Sequence, residues 1–177
     1  FQTFYNLVDT WFAGRISAEA IAAIAKSFPI YFTIIAIGVG LTAGTNTLIG
    51  NNIGANNKKK ASLFVAQSII FAIFLSILVT FFGLNVSDFL LSIMGSDQEG
   101  IILSRKYLDI IFYGTVIVLI QISLNGALNA QGDTKSYRNV LIFSFFLNIF
   151  LNPLFIFGYG FIPAFGIAGL AIATVVA

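Results

Sequence analysis

The chain has 177 residues, of which 58% are hydrophobic and only 9% charged, with a mean hydropathy of +0.96. Soluble domains carry about 25% charged residues, so the solvent around most of this chain is not water, and a net charge of +2 is too small for a nucleic-acid surface. The absence of cysteine and histidine excludes disulfides, Cys/His metal centres, thiol nucleophiles and histidine acid–base chemistry.

Several apolar runs reach the roughly 20 residues needed to cross a ~30 Å hydrocarbon core, and none alternates with period two. The fold class they predict is an all-α integral membrane bundle of six helices over residues 1–177. The first helix covers about 1–13. It opens on FQTFYNLVDTWF with no initiator Met and no polar lead-in, and reads as partial. Ser17 can cap a second helix over about 18–53, which Gly54 would end in a left-handed stop. Asn57 begins a third over about 58–84, and VSDFLLSIM (86–94) is expected to lie along the membrane surface. Ser96 and Glu99 have capping-box spacing ahead of a fourth helix, about 97–131. Gly132 ends it, and Asp133 or Thr134 opens a fifth over about 134–158. A sixth, about 166–177, is also partial, so the chain reads as a fragment cut inside its first and last helices. Pro29 and Pro153 predict kinks.

Alternating sides groups Lys58, Lys59, Lys60, Lys135 and Arg138 against Arg15, Arg105 and Lys106. The positive-inside rule then makes the turns at about 54–60 and 131–138 cytoplasmic. Lys26 is expected to snorkel outwards, Asp109 to pair with Arg105 or Lys106, and Trp11 and Tyr159 to anchor at the interface. GVGLTAG misses the dinucleotide-binding glycine spacing and lies within an apolar helix. Its Gly40 and Gly44, like Gly50 and Gly54, suggest surfaces for close helix approach.

The informative residues are polar ones inside the spans. Gln2, Tyr5 and Asp9 share one face of the first helix. Gln121, Asn125 and Asn129 recur every four residues in the fourth, and Asn148 and Asn152 do so in the fifth. Lipid cannot satisfy such groups, so the stripes should face one another or a wet cavity. Interhelical hydrogen bonding alone would account for the amides. It does not account for Asp9, since an aspartate at a span's centre costs roughly 2.5–3.5 kcal/mol even on the lenient insertion scale. Held by neutral partners, such an acid can exchange a proton, or bind Na⁺ if amide and carbonyl oxygens complete the shell.

NLVDTWFAGRISAEAIAAIA, LTAGTNTLIGNNIGANNKKKA, LNAQGDTK, NIFLNPLFIFGYG and GIAGLAIATV, in this order, resemble the multidrug and toxic compound extrusion (MATE) family, in its DinF-like branch. The resemblance implies the amino-terminal lobe of a twelve-helix transporter in a plasma (inner) membrane, its other lobe missing here. It implies no enzyme activity and no cofactor, but export of amphipathic, cationic small molecules by alternating access, driven by H⁺ or Na⁺. It also implies a polar pocket built on Asp9, with Tyr5, Asn148 and Asn152 beside the coupling ion and Gln2, Asn125 and Thr174 lining the cavity. The fifth helix commonly carries an acid where this chain has Asn152, which leaves Asp9 as the only deep carboxylate. A lipid-precursor flippase of a related superfamily is the alternative. It would need a cationic cavity, for which Lys26 is the sole candidate. An aspartyl protease would need a second facing acid, and a passive scaffold would leave Asp9 unexplained.

Overall fold

A computed structural model describes the backbone of residues 2–177 and the side chains of residues 7–177. Its six helices are α1 (Gln2–Ile16), α2 (Ala18–Gly54), α3 (Lys58–Ile93), α4 (Gln98–Ala130), α5 (Lys135–Phe157) and α6 (Ile167–Val176). The only strand-like pairing among the described residues is an isolated bridge between Tyr159 and Ile162 in the α5–α6 connection. Helices α2, α3, α4 and α5 are each long and apolar enough to cross a membrane.

The helix boundaries follow local chemistry. Ser17 Oγ accepts from the Ala20 amide at 3.1 Å, and Asn57 Oδ1 from the Lys60 amide at 3.1 Å. Two expectations need correction. The left-handed residue after α2 is Asn56 (φ 55°), not Gly54, which closes the helix itself. Asp97, rather than Ser96 with Glu99, caps α4 by accepting from the Gly100 amide at 3.0 Å. Asp97 accepts there with a full negative charge at the positive end of the helix, which a serine hydroxyl cannot match.

The expected surface segment at 86–94 is a third correction, because α3 continues unbroken to Ile93. Packing explains it. Ser87 and Leu91, one turn apart, are buried, and Arg105 on α4 donates to the Leu84 carbonyl at 2.7 Å and to Ser87 Oγ at 2.6 Å. The same guanidinium pairs with Asp109 at 3.0 Å and Asp88 at 3.5 Å. Lys26 also reaches across helices, donating to the Gly95 carbonyl at 3.0 Å where α3 ends.

Helix α4 is the hub, packed against α2, α3 and α6, while α5 leans on α6 and α1. Leu108, Phe112 and Leu119 of α4, Ile34 of α2 and Leu170 of α6 form its dry centre. The outward faces are equally apolar. Ile70, Phe74, Ile77 and Phe81 on α3 and Phe143, Phe146 and Phe150 on α5 are exposed, as a hydrocarbon solvent requires.

Close approach depends on other glycines than those singled out in the sequence. A Cβ on Gly126 of α4 would lie 2.9 Å from the Thr42 carbonyl of α2, and one on Gly169 of α6 would run into the Phe155 carbonyl. A Cβ on Gly40, Gly44, Gly50 or Gly54 would meet nothing within 4 Å. The α2 face that touches α4 carries Gly38, Leu41 and Thr45, which turns Gly40 and Gly44 away from that contact. Gly126→Ala should therefore cost roughly 1–3 kcal/mol, whereas Gly44→Ala should be neutral or stabilising by up to about 1 kcal/mol. Thermal unfolding of the two variants in detergent measures the difference; equal melting would contradict this packing.

At the α4–α5 turn, Gly132 takes φ 79° and Asp133 does the capping rather than Thr134. Its carboxylate accepts the Lys135 and Ser136 amides at 3.1 and 3.0 Å and the Ser136 hydroxyl at 2.6 Å. The Ser136 hydroxyl and amide hold the Asp133 carboxyl below the usual aspartate range. A depressed folded-state value means that the stabilisation is complete above the unfolded value and fades as pH falls through the folded one. Amide exchange at 135–136, corrected for its intrinsic rate, should accelerate below about pH 4, and Asp133→Asn should flatten that dependence.

Candidate functional site

Asp9 is only 6% exposed, at the meeting of α1, α5 and α6. Asn152 Nδ2 donates to its Oδ1 at 3.0 Å, and the Thr174 hydroxyl lies 3.0 Å from its Oδ2. Asn152 spends its second amide hydrogen on Asn148 Oδ1, at 2.9 Å. One turn separates the two asparagines on α5, and Asn148, as acceptor, holds the Asn152 amide whose other hydrogen serves the carboxylate. Among the described residues no ion pair reaches Asp9.

Thr174 has one proton and two acceptors. Its Oγ1 lies 2.9 Å from the Leu170 carbonyl as well as near Asp9. When the hydroxyl serves the ionised carboxylate it donates to Oδ2. When it turns to Leu170, its lone pair faces Asp9 and can accept from a protonated carboxyl. The pocket thus has a partner for either form. Beside Asp9, Asn152 Oδ1 and Asn148 Nδ2 are buried with no hydrogen-bond partner among the described residues. The first is an oxygen available to a cation, and the second a donor available to water or substrate.

Asp9 and Thr174 border a cavity of about 480 Å³ that Gln121 and Asn125 also line, with Tyr31 and Tyr137. Asn125 Oδ1 is buried with no hydrogen-bond partner among the described residues. The stripe on the fourth helix therefore does reach the same space as Asp9, though Asn129, a turn further on, does not line it. Lys26 is committed elsewhere, at the α3 terminus. The side chains of Gln2 and Tyr5 lie outside the described residues. Tyr31 and Tyr137 were not anticipated: each sits among other apolar or polar neighbours with no spacing that marks it, and only the opening of α2 and α5 onto one cavity brings both to the same space.

A bundle with apolar faces outside and one buried carboxylate held by amides and a hydroxyl, beside an open cavity, defines a polytopic membrane protein with an internal polar pocket. The MatE family model matches residues 1–154, and the chain belongs to this family. It is similar to the FAD transporter of Shewanella oneidensis, at 31% identity over 170 residues, covering 96% of this chain and 38% of that protein. It is likewise 31% identical over 176 residues to the probable multidrug resistance protein YoeA of Bacillus subtilis, covering 99% of this chain and 38% of that protein. Among solved structures, it is similar to an inward-facing multidrug resistance MATE family transporter of the MOP superfamily. The TM-score is 0.91 at 32% identity, covering 99% of this chain and 39% of the other. The chain thus spans about 38% of the length of the curated relatives it matches.

If Asn152 and Thr174 hold Asp9 as described, Asp9→Ala and Thr174→Val should not act independently. A double-mutant cycle on unfolding should return a coupling of roughly 1–3 kcal/mol, the worth of a hydrogen bond to a charged group. Additive losses would dissolve the contact.

Proposed function

We propose that the full-length protein containing this chain is a secondary active exporter of amphipathic, cationic small molecules, with Asp9 binding the coupling H⁺ or Na⁺. The observation that carries this reading is a buried carboxylate whose partners, Asn152 and Thr174, are neutral. A basic partner would lock the acid in one state, whereas amide and hydroxyl partners leave it free to exchange a cation. The names of the relatives, a FAD transporter and a probable multidrug resistance protein, support transport without choosing the cargo. The cavity's aromatic hydroxyls and its one acid suit a cationic ring system better than an anion.

In the proposed cycle, drug occupies the cavity from the cytoplasmic side while Asp9 is free of its ion. The ion then enters from outside and repacks α1 against α5 and α6, and the drug is expelled. Coupling requires that ion and drug prefer different conformations. Asp9 lies seven residues from the outer end of α1 at Ile16, roughly 10 Å at 1.5 Å per residue, which makes a short entry path. For H⁺, Thr174 supplies the rotating partner. For Na⁺, oxygens of Asp9 and Thr174 with the unpaired Asn152 Oδ1 are the ligands on offer. The turns at 54–60 and 131–138 are cytoplasmic in this reading of a plasma-membrane protein. A lipid-precursor flippase loses its sole cationic candidate, since Lys26 caps the α3 end.

Asp9→Asn in the full-length protein should reduce ion-driven efflux to background while insertion and expression stay unchanged. Efflux from vesicles energised separately by a pH gradient and a Na⁺ gradient measures this and identifies the ion. Undiminished efflux would rule out the role of Asp9.

A further inference from the structure

On the flank of α2 away from the polar cavity lies a second space, unrelated to Asp9. It is an open groove of about 790 Å³ between α2 and α3, walled by Gly40, Gly44 and Leu48 on one side and by Phe64, Phe71 and Phe74 on the other. The two glycines contribute to its depth, since a Cβ at either would project into open space with nothing within 4 Å. Its lining is mostly hydrocarbon, but Gln67 also borders it, and this amide makes no side-chain hydrogen bond among the described residues. On a membrane-embedded helix an amide without a partner is costly. Something amphipathic would satisfy both features.

The charge at the mouth indicates what. Positions 60, 64, 67, 71 and 74 fall on one helix face, so Lys60, exposed in the first turn of α3, continues the stripe of Phe64, Gln67, Phe71 and Phe74 towards the membrane surface. On α2 the series Gly44, Leu48 and Asn51 leads to the same end. Lys58 and Lys59 stand beside Lys60, and the turn NNIGANNKKK contains no acid. From Phe64 to Leu75 the groove runs roughly 16 Å at 1.5 Å per residue, about one leaflet of a ~30 Å core. Lys60 at the mouth and Gln67, seven residues or roughly 10 Å further along α3, therefore give an otherwise apolar groove a charged contact and a deeper polar one.

We propose that this groove binds one anionic phospholipid from the leaflet on the lysine-bearing side. Its phosphate rests on Lys60 and the neighbouring lysines, its ester region meets Gln67, and one acyl chain lies over Gly40 and Gly44. Clustered lysines at a helix end favour an anionic headgroup over a zwitterionic one. The competing occupant is a protein segment from elsewhere in a longer parent chain.

The test is native mass spectrometry of the full-length protein with phosphatidylglycerol and phosphatidylcholine of matched acyl chains. The expected result is several-fold greater retention of phosphatidylglycerol. Gly44→Leu, whose Cβ would meet nothing within 4 Å and whose side chain would take up space in the trough, should abolish retention of that lipid. Lys60→Gln should reduce the preference between headgroups while leaving binding of a lipid intact. Equal retention of the two lipids by the unaltered protein, or undiminished phosphatidylglycerol on Gly44→Leu, would overturn the proposal. So would a Gly44→Leu protein that unfolds in lipid-free detergent, because a protein segment would then occupy the groove.

Discussion

A carboxylate taken out of water has to be met donor by donor, and the geometry of this bundle around Asp9 follows from that requirement. Its two oxygens draw one donor each from α5 and α6, so three helices distant in sequence must converge within hydrogen-bond reach at one depth. Asn152 can serve only because Asn148 fixes the orientation of its amide, and Thr174 only because α6 lies close enough to α5 for Gly169 to touch the Phe155 carbonyl. Local hydrogen bonds and backbone proximity thus form one construction. An apolar residue at position 9 would remove the two hydrogen bonds that tie α1 to α5 and α6.

The rest of the bundle is a frame for that convergence. Helix α4 holds the centre, with Leu108, Phe112 and Leu119 buried among its neighbours. Arg105 ties the end of α3 to it through the Leu84 carbonyl, the Ser87 hydroxyl and the Asp88 carboxylate. Asp9, by contrast, meets the neutral groups of Asn152 and Thr174, so the charged contacts of Arg105 join α3 and α4 while the neutral ones of Asp9 join α1 to α5 and α6.

How much of this was legible in the chain depends on the physical signal. The helices were, because apolar runs of that length have no other stable form in a bilayer. Asp9 with Asn148 and Asn152 was, because four-residue spacing of polar groups in an apolar helix forces a shared face. Thr174 carried no such signal and entered only through resemblance to a family. Tyr31 and Tyr137 were invisible, since an aromatic hydroxyl in a span serves equally as an interface anchor. The continuation of α3 to Ile93 was misread because amphipathic character in 86–94 suits a membrane surface as well as a helix partner, and only Arg105 and buried Leu91 decide between them. The small-residue signal was also ambiguous: spacing alone does not separate Gly126, pressed against a neighbouring backbone, from Gly44, facing open space.

Pro153 lies directly after Asn152 within α5. A proline there removes one backbone N–H, so the carbonyl of Ile149, four residues earlier, loses its usual intrahelical partner. The rod is consequently most compliant one residue from the amide that grips Asp9. Because the Phe155 and Ile156 carbonyls accept from the Phe165 and Gly166 amides, a bend at that joint would carry the start of α6 along with the last turn of α5.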